Sequence, residues 1–91
     1  MKLEIISPRA LLFKGEVDSI TLPGASGSLQ ILNNHAPIVS NLVAGRVKIR
    51  GEINLDDTNR SSFTTDGNET YLEIKSGTLE LFKNKVILLT D

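Results

Sequence analysis

Arg46-Val47-Lys48-Ile49-Arg50 changes from polar to apolar at every step. An extended chain points successive side chains to opposite faces, so this run sets Val47 and Ile49 on a core face and three cations in water. A helix would scatter the same residues around its axis. The segment therefore reads as a half-buried β-strand. Downstream, Thr70-Tyr71-Leu72-Glu73-Ile74-Lys75 repeats the pattern with Leu72 and Ile74 inward. Thr78-Leu79-Glu80-Leu81-Phe82 repeats it with Leu79 and Leu81 inward, and Ser76-Gly77 joins the two strands.

Working outward, further strands are expected over residues 3–6, 16–22, 28–32 and 85–90, separated by Gly, Pro, Asn or Asp clusters that break regular structure. Ile38, Val39, Leu42 and Val43 fall at helical spacing for two turns only, and the strand reading is preferred there. Residues 51–65, with Asp56-Asp57-Thr58-Asn59-Arg60 at their centre, form the most polar stretch and read as an exposed hairpin tip or loop. Lys83-Asn84-Lys85 lies between two strand patterns, and Asn tolerates the left-handed backbone of a tight hairpin. The period of two throughout points to one all-β domain, a sandwich or a barrel, over residues 1–91.

The last strand breaks the alternation. Val86 and Leu88 lie on one face and Ile87 and Leu89 on the other, so both faces are apolar. Either loops of the chain cover the second face or another protein does.

Ten Lys and Arg against eleven Asp and Glu leave a formal charge of −1, no footprint for nucleic acid or an anionic membrane. Cysteine is absent, which removes disulfides, thiolate metal sites and cysteine nucleophiles. His35 is the only histidine, so a zinc site would have to be completed by carboxylates alone. A histidine held in a turn by hydrogen bonds is the preferred reading. Gly24-Ala25-Ser26-Gly27-Ser28 lacks the Lys-Ser or Lys-Thr ending of a phosphate loop and reads as a sharp turn between strands. The N-terminal stretch is interrupted by Glu4 and followed by Pro8 and Arg9, unlike a signal peptide. No run approaches the roughly 20 apolar residues that span a bilayer.

Specific motifs carry the reading further. Ile6-Ser7-Pro8, Leu12-Phe13-Lys14-Gly15-Glu16-Val17, Pro23-Gly24-Ala25-Ser26-Gly27-Ser28-Leu29, Asn34-His35-Ala36-Pro37, Ser76-Gly77-Thr78-Leu79-Glu80-Leu81 and Asn84-Lys85-Val86-Ile87-Leu88 occur in this order. Together they resemble the N-terminal domain of F-type ATP synthase epsilon subunits over nearly the whole chain. The resemblance implies a ten-stranded antiparallel β-sandwich, a non-catalytic central-stalk subunit that couples c-ring rotation to the gamma subunit and the catalytic head. Its implied partners are the gamma subunit and the c-ring, and no cofactor or metal is implied. Pro23, Gly24, Ala25, Ser26, Gly27, Ser28 and Leu29 would face the c-ring, and Ser7, His35 and Ser40 would lie toward gamma. The implied location is peripheral, on the cytoplasmic face of a bacterial inner membrane, held there through the complex.

Three departures accompany the resemblance. Gln30 stands where the family usually has glycine, Asn33 or Asn34 replaces a proline or glycine ahead of the histidine, and residues 51–65 form an enlarged hairpin. The chain also stops at Asp91, before the helical hairpin with which many members inhibit ATP hydrolysis, so that regulation is not expected of it. The rival reading is a free-standing β-sandwich adaptor with smaller, exchangeable contacts.

Overall fold

In the computed structural model, which describes residues 1–91, ten strands follow one another: β1 (Lys2–Ile6), β2 (Leu11–Glu16), β3 (Ser19–Gly24), β4 (Gly27–Leu32), β5 (Ile38–Leu42), β6 (Gly45–Arg50), β7 (Phe63–Asp66), β8 (Glu69–Ile74), β9 (Gly77–Phe82) and β10 (Lys85–Thr90). They hydrogen-bond in the order β2-β1-β10-β9-β5-β3-β6-β8-β7, with β4 on the other side of β3. The link between β5 and β3 is a single residue pair, Gly24 opposite Leu42. The curled sheet is thus two five-stranded layers joined at a corner, β2-β1-β10-β9-β5 and β4-β3-β6-β8-β7, which is the expected sandwich.

Alternation places the core as expected. Val47, Ile49, Leu72, Ile74, Leu79 and Leu81 are all buried, and they meet Leu3, Ile5, Ile20, Leu22 and Ile31 from the facing strands. The segment with helical spacing is strand β5, paired over its whole length with β9. Lys83 and Asn84, at φ 50° and 59°, form the two-residue turn between β9 and β10, where positive φ at both positions matches the twist of the strands.

Three expectations are corrected. Residues 16–22 are not one strand: Glu16 ends β2, Ser19 opens β3, and the chain changes layers between them. The Val17 N–H donates to Met1 O at 2.9 Å on one layer, and the next N–H, from Asp18, donates to Arg50 O at 2.8 Å on the other. Residues 51–65 are not all loop, since Arg60–Ser62 make a 3-10 turn and Phe63 opens β7 with its ring in the core. Only Phe63 of that edge strand is buried, too little to show an alternation. Finally, β1 and β10 run parallel, whereas every other pair is antiparallel. No turn connects these first and last strands, so nothing in the local chain ties their directions together.

Carboxylates on the outer faces are held in ion pairs. Glu69 lies 3.0 Å from Arg50 and 3.6 Å from Lys48, and Glu4 lies 3.0 Å from Lys85. Hydrogen bonding by Arg50, then by Tyr71, holds the Glu69 carboxyl below its usual 4.5, and Lys85 does the same for Glu4. Asp91 is lowered too, chiefly by the backbone N–H of Lys75, with which its Oδ1 makes a 2.9 Å hydrogen bond.

Two tests follow from this packing. Leu79→Ala empties a fully buried position and should cost about 2–5 kcal/mol, whereas Val39→Ala, 73% exposed on the neighbouring strand, should cost less than about 0.5 kcal/mol. Denaturant titration measures both, and equal losses would contradict the layer assignment. For pH, a carboxyl whose folded value is depressed stabilises the fold above its unfolded value and loses that contribution as pH falls through the folded value. The denaturation midpoint should therefore drop from about pH 5 toward pH 3, and Glu69→Gln should flatten part of that slope. A midpoint that rises on acidification would exclude this origin.

Candidate functional site

The glycine-rich segment becomes the β3–β4 hairpin. Pro23 pairs opposite Ser28 and Gly24 opposite Gly27, leaving Ala25 and Ser26 as a two-residue tip. Gly27 sits at φ +125°, a conformation closed to most side chains. Pro23 lies so close to Gly45 that a Cβ there would stand 2.8 Å from the proline Cβ, so the hairpin base is seated on bare backbone. None of residues 23–29 carries charge. The tip therefore offers shape and backbone hydrogen bonds rather than an electrostatic contact.

Ser40 joins this hairpin. Val39, Ser40 and Asn41 of β5 line one wall of an open groove of about 390 Å³ whose other wall is the hairpin from Gly24 to Leu29. Ser40 Oγ donates to Asn41 O at 3.3 Å, and Asn41 O also accepts from the Ala25 N–H at 3.3 Å. Ser7 follows the end of β1, in a turn where its N–H donates to Ala10 O at 2.9 Å. The chain of pairs Gly24–Leu42, Leu42–Gly77 and Gly77–Thr90, with Ile6 beside Leu89, puts Ser7 at the same end of the sandwich as the hairpin tip.

His35 lies at the opposite end. Asn34 N–H donates to Asn84 Oδ1 at 2.8 Å, and Lys2 N–H donates to Asn84 O at 3.1 Å, so the histidine turn stands by the β9–β10 turn and the start of β1. Its ring Nδ1 donates to Ala36 O at 2.7 Å and its backbone N–H to Leu32 O at 3.3 Å, the turn-held arrangement the sequence suggests. Ser7, His35 and Ser40 thus do not converge. They mark three separate points around one layer. Asn34 adopts φ 62°, a left-handed conformation that asparagine tolerates, and Gln30 sits exposed opposite Thr21.

The two layers differ sharply on their outer faces. Arg46 pairs with Glu73 at 2.9 Å and stacks 5.0 Å above Tyr71, while Lys48 and Arg50 share Glu69, whose other oxygen accepts from Tyr71 Oη at 2.9 Å. That hydrogen bond to an anionic acceptor raises the Tyr71 phenol. The β6–β8 face is a satisfied ionic lattice. The other layer turns Ile6, Leu11, Val39, Phe82, Ile87 and Leu89 outward among Lys2, Glu4, Glu80 and Lys85, with Phe82 61% and Leu89 42% exposed. Of the two explanations for the doubly apolar last strand, coverage by the chain's own loops is not what Leu89 shows. Phe82 and Val39 were missed from sequence, although Phe82 lies out of phase with Leu79 and Leu81 and carried the signal.

The comparisons with known proteins agree with this architecture. A family described as "ATP synthase, Delta/Epsilon chain, beta-sandwich domain" matches residues 1–91. The chain is 38% identical over 90 residues to the ATP synthase epsilon chain of Chlorobium limicola, covering 99% of this chain and 88% of that one. It is 36% identical over 91 residues to the ATP synthase epsilon chain of Leptospira interrogans serovar copenhageni, covering all of this chain and 61% of that one. In shape it matches a chain in the central stalk and c-ring structure of Tetrahymena thermophila mitochondrial ATP synthase, with TM-score 0.76 and 16% identity over 98% of this chain and 61% of that one. A chain in the OSCP/F1/c-ring structure of Euglena gracilis mitochondrial ATP synthase gives TM-score 0.72 and 19% identity, over 97% and 48%. At these identities the structural likeness speaks for the fold, and the family rests on the sequence matches. With every residue inside the family match and a bacterial relative covered nearly end to end, this chain belongs to the ATP synthase delta/epsilon chain family.

Proposed function

We propose that this chain is a non-catalytic central-stalk subunit of a proton-translocating F-type ATP synthase, gripped between the gamma subunit and the c-ring so that ring rotation reaches the catalytic head. The observation that carries this reading is the contrast between the outer faces. Leaving Val39, Phe82 and Leu89 exposed forgoes part of the roughly 1.5–3 kcal/mol that fully burying such a side chain contributes. The ionic face has nothing comparable to gain, because its charges already have partners.

Gamma is received on the apolar layer, with Ser7, His35 and Ser40 at its margins. The uncharged hairpin from Pro23 to Leu29 reaches the polar loops of the c-ring, where fit rather than charge sets the contact. The chain is held at the membrane through the complex: no helix is long and apolar enough to cross a bilayer. The proposed role rests on the sandwich, which is what residues 1–91 form. A permanent subunit of this kind should bury on the order of 2,000 Å² or more, counting both sides.

Affinity purification from native membranes tests the assignment. The unaltered chain should bring down gamma and the c-ring, and Leu89→Glu should lower gamma recovery at least about tenfold, the weight of one buried leucine. Arg46→Glu on the ionic face should leave recovery near normal. A soluble complex without stalk subunits would replace this reading with that of an adaptor. In membranes depleted of the chain, ATP hydrolysis should persist while the proton gradient it drives falls. Unchanged coupling would remove the mechanical role.

A further inference from the structure

The hydrogen-bonded path through the curled sheet ends at β2 in one layer and β7 in the other, β4 is a further edge beside β3, and residues 51–62 connect β6 to β7. β6 and β7 are not neighbours, since β8 lies between them and pairs antiparallel with both, so the connection must return along the length of the strands. It does so as a packed strap. Leu55 is buried and Ile53 packs against the core. Arg60 holds the strap's curvature by donating to Leu55 O at 3.1 Å and pairing with Asp57 at 3.2 Å, and the Asn59 N–H donates to Asp56 O at 2.9 Å.

The strap also crosses to the other layer. Asn59 Nδ2 donates to Leu11 O of β2 at 3.1 Å, a contact 48 residues away in sequence, and Asn54, Asp56 and Asn59 wall a hollow of about 210 Å³ against residues 11–14. β2 has β1 on one side only, so its other edge offers free backbone donors and acceptors, the kind of row on which a further strand can add. Leu11, 47% exposed beside Ile6, would make such an addition more favourable.

We propose that residues 51–62 are an edge-guarding strap. They close the seam between the two terminal strands with Leu55 as the plug, and through Asn59 they occupy a backbone acceptor by which β2 would otherwise pair with the same edge of a second copy. The inference concerns the chain by itself and does not depend on the stalk assignment.

Asn59→Asp tests it, because the substitution keeps size while replacing the donor with a carboxylate that repels the Leu11 carbonyl. Asn59 is a polar, half-buried position outside the core, so the chain should stay folded, as circular dichroism will verify. At dilutions where sedimentation shows only monomer, amide exchange in β2 should accelerate about 2- to 10-fold, the weight of one net hydrogen bond, while exchange in the other free edge strand, β4, stays unchanged. Sedimentation should show concentration-dependent dimers for the variant and not for the parent chain. Asn59→Gln, which keeps the amide donor, should restore part of the protection. Equal acceleration in β2 and β4, unchanged β2 exchange, or a variant that stays monomeric at all concentrations would each overturn the proposal.

Discussion

The sandwich depends on how β3 divides one edge between two partners. Its first three residues pair with β6 inside one layer, and its last, Gly24, pairs with Leu42 of β5 in the other. Pro23 stands where the edge changes hands. In an antiparallel strand the N–H and C=O of a residue point the same way, and the Pro23 carbonyl accepts from the Val43 N–H at 2.9 Å on that edge. A residue with an N–H would leave it unpaired in the gap between β6 and β5, whereas proline has none to leave. Gly45 lets the ring approach, and the two layers close over a shared core.

From that corner follow the two outer faces and the projecting hairpin. Folding the sheet buries one parity of side chains and leaves the other outside, so the character of each outer face is set by whichever residues occupy the outward parity. In the β6–β8 layer these are charges in mutual contact, and in the β1–β10–β9 layer Ile6, Ile87, Leu89 and Phe82 are interspersed with Lys2, Glu4, Glu80 and Lys85. The corner also projects the β3–β4 hairpin at the end of the molecule, where it shares a groove with β5.

Much of this was legible before any coordinates. The inward residues of β6, β8 and β9 were named from alternation alone, because a strand with one wet face writes its period into the sequence. The hairpin of residues 23–29 was visible through proline and glycine, whose backbone preferences are local. Where the reading failed, the cause was a long-range partner. Residues 16–22 look like one strand, and only the carbonyls of Met1 and Arg50, on different layers, divide them. β7 shows one buried ring, and the strap looks like a solvated loop because Asn59 and Arg60 are polar, although they satisfy carbonyls at Leu11 and Leu55. Ser7 and His35, named together for the gamma side, lie at opposite ends of one layer, a placement that no local pattern encodes.

By itself, the sequence determined the all-strand class, the inward face of most strands, the tight turns and the family. These depend on side-chain period and on the φ preferences of Gly, Pro and Asn, which act over a few residues. The tertiary structure alone decided that β1 lies parallel to β10, that the strap seals the β2–β7 seam, and which apolar residues stay exposed together. Each of those requires backbone groups far apart in the chain to find one another. No local preference encodes the partner of a free N–H or carbonyl; the closing of the whole sheet does.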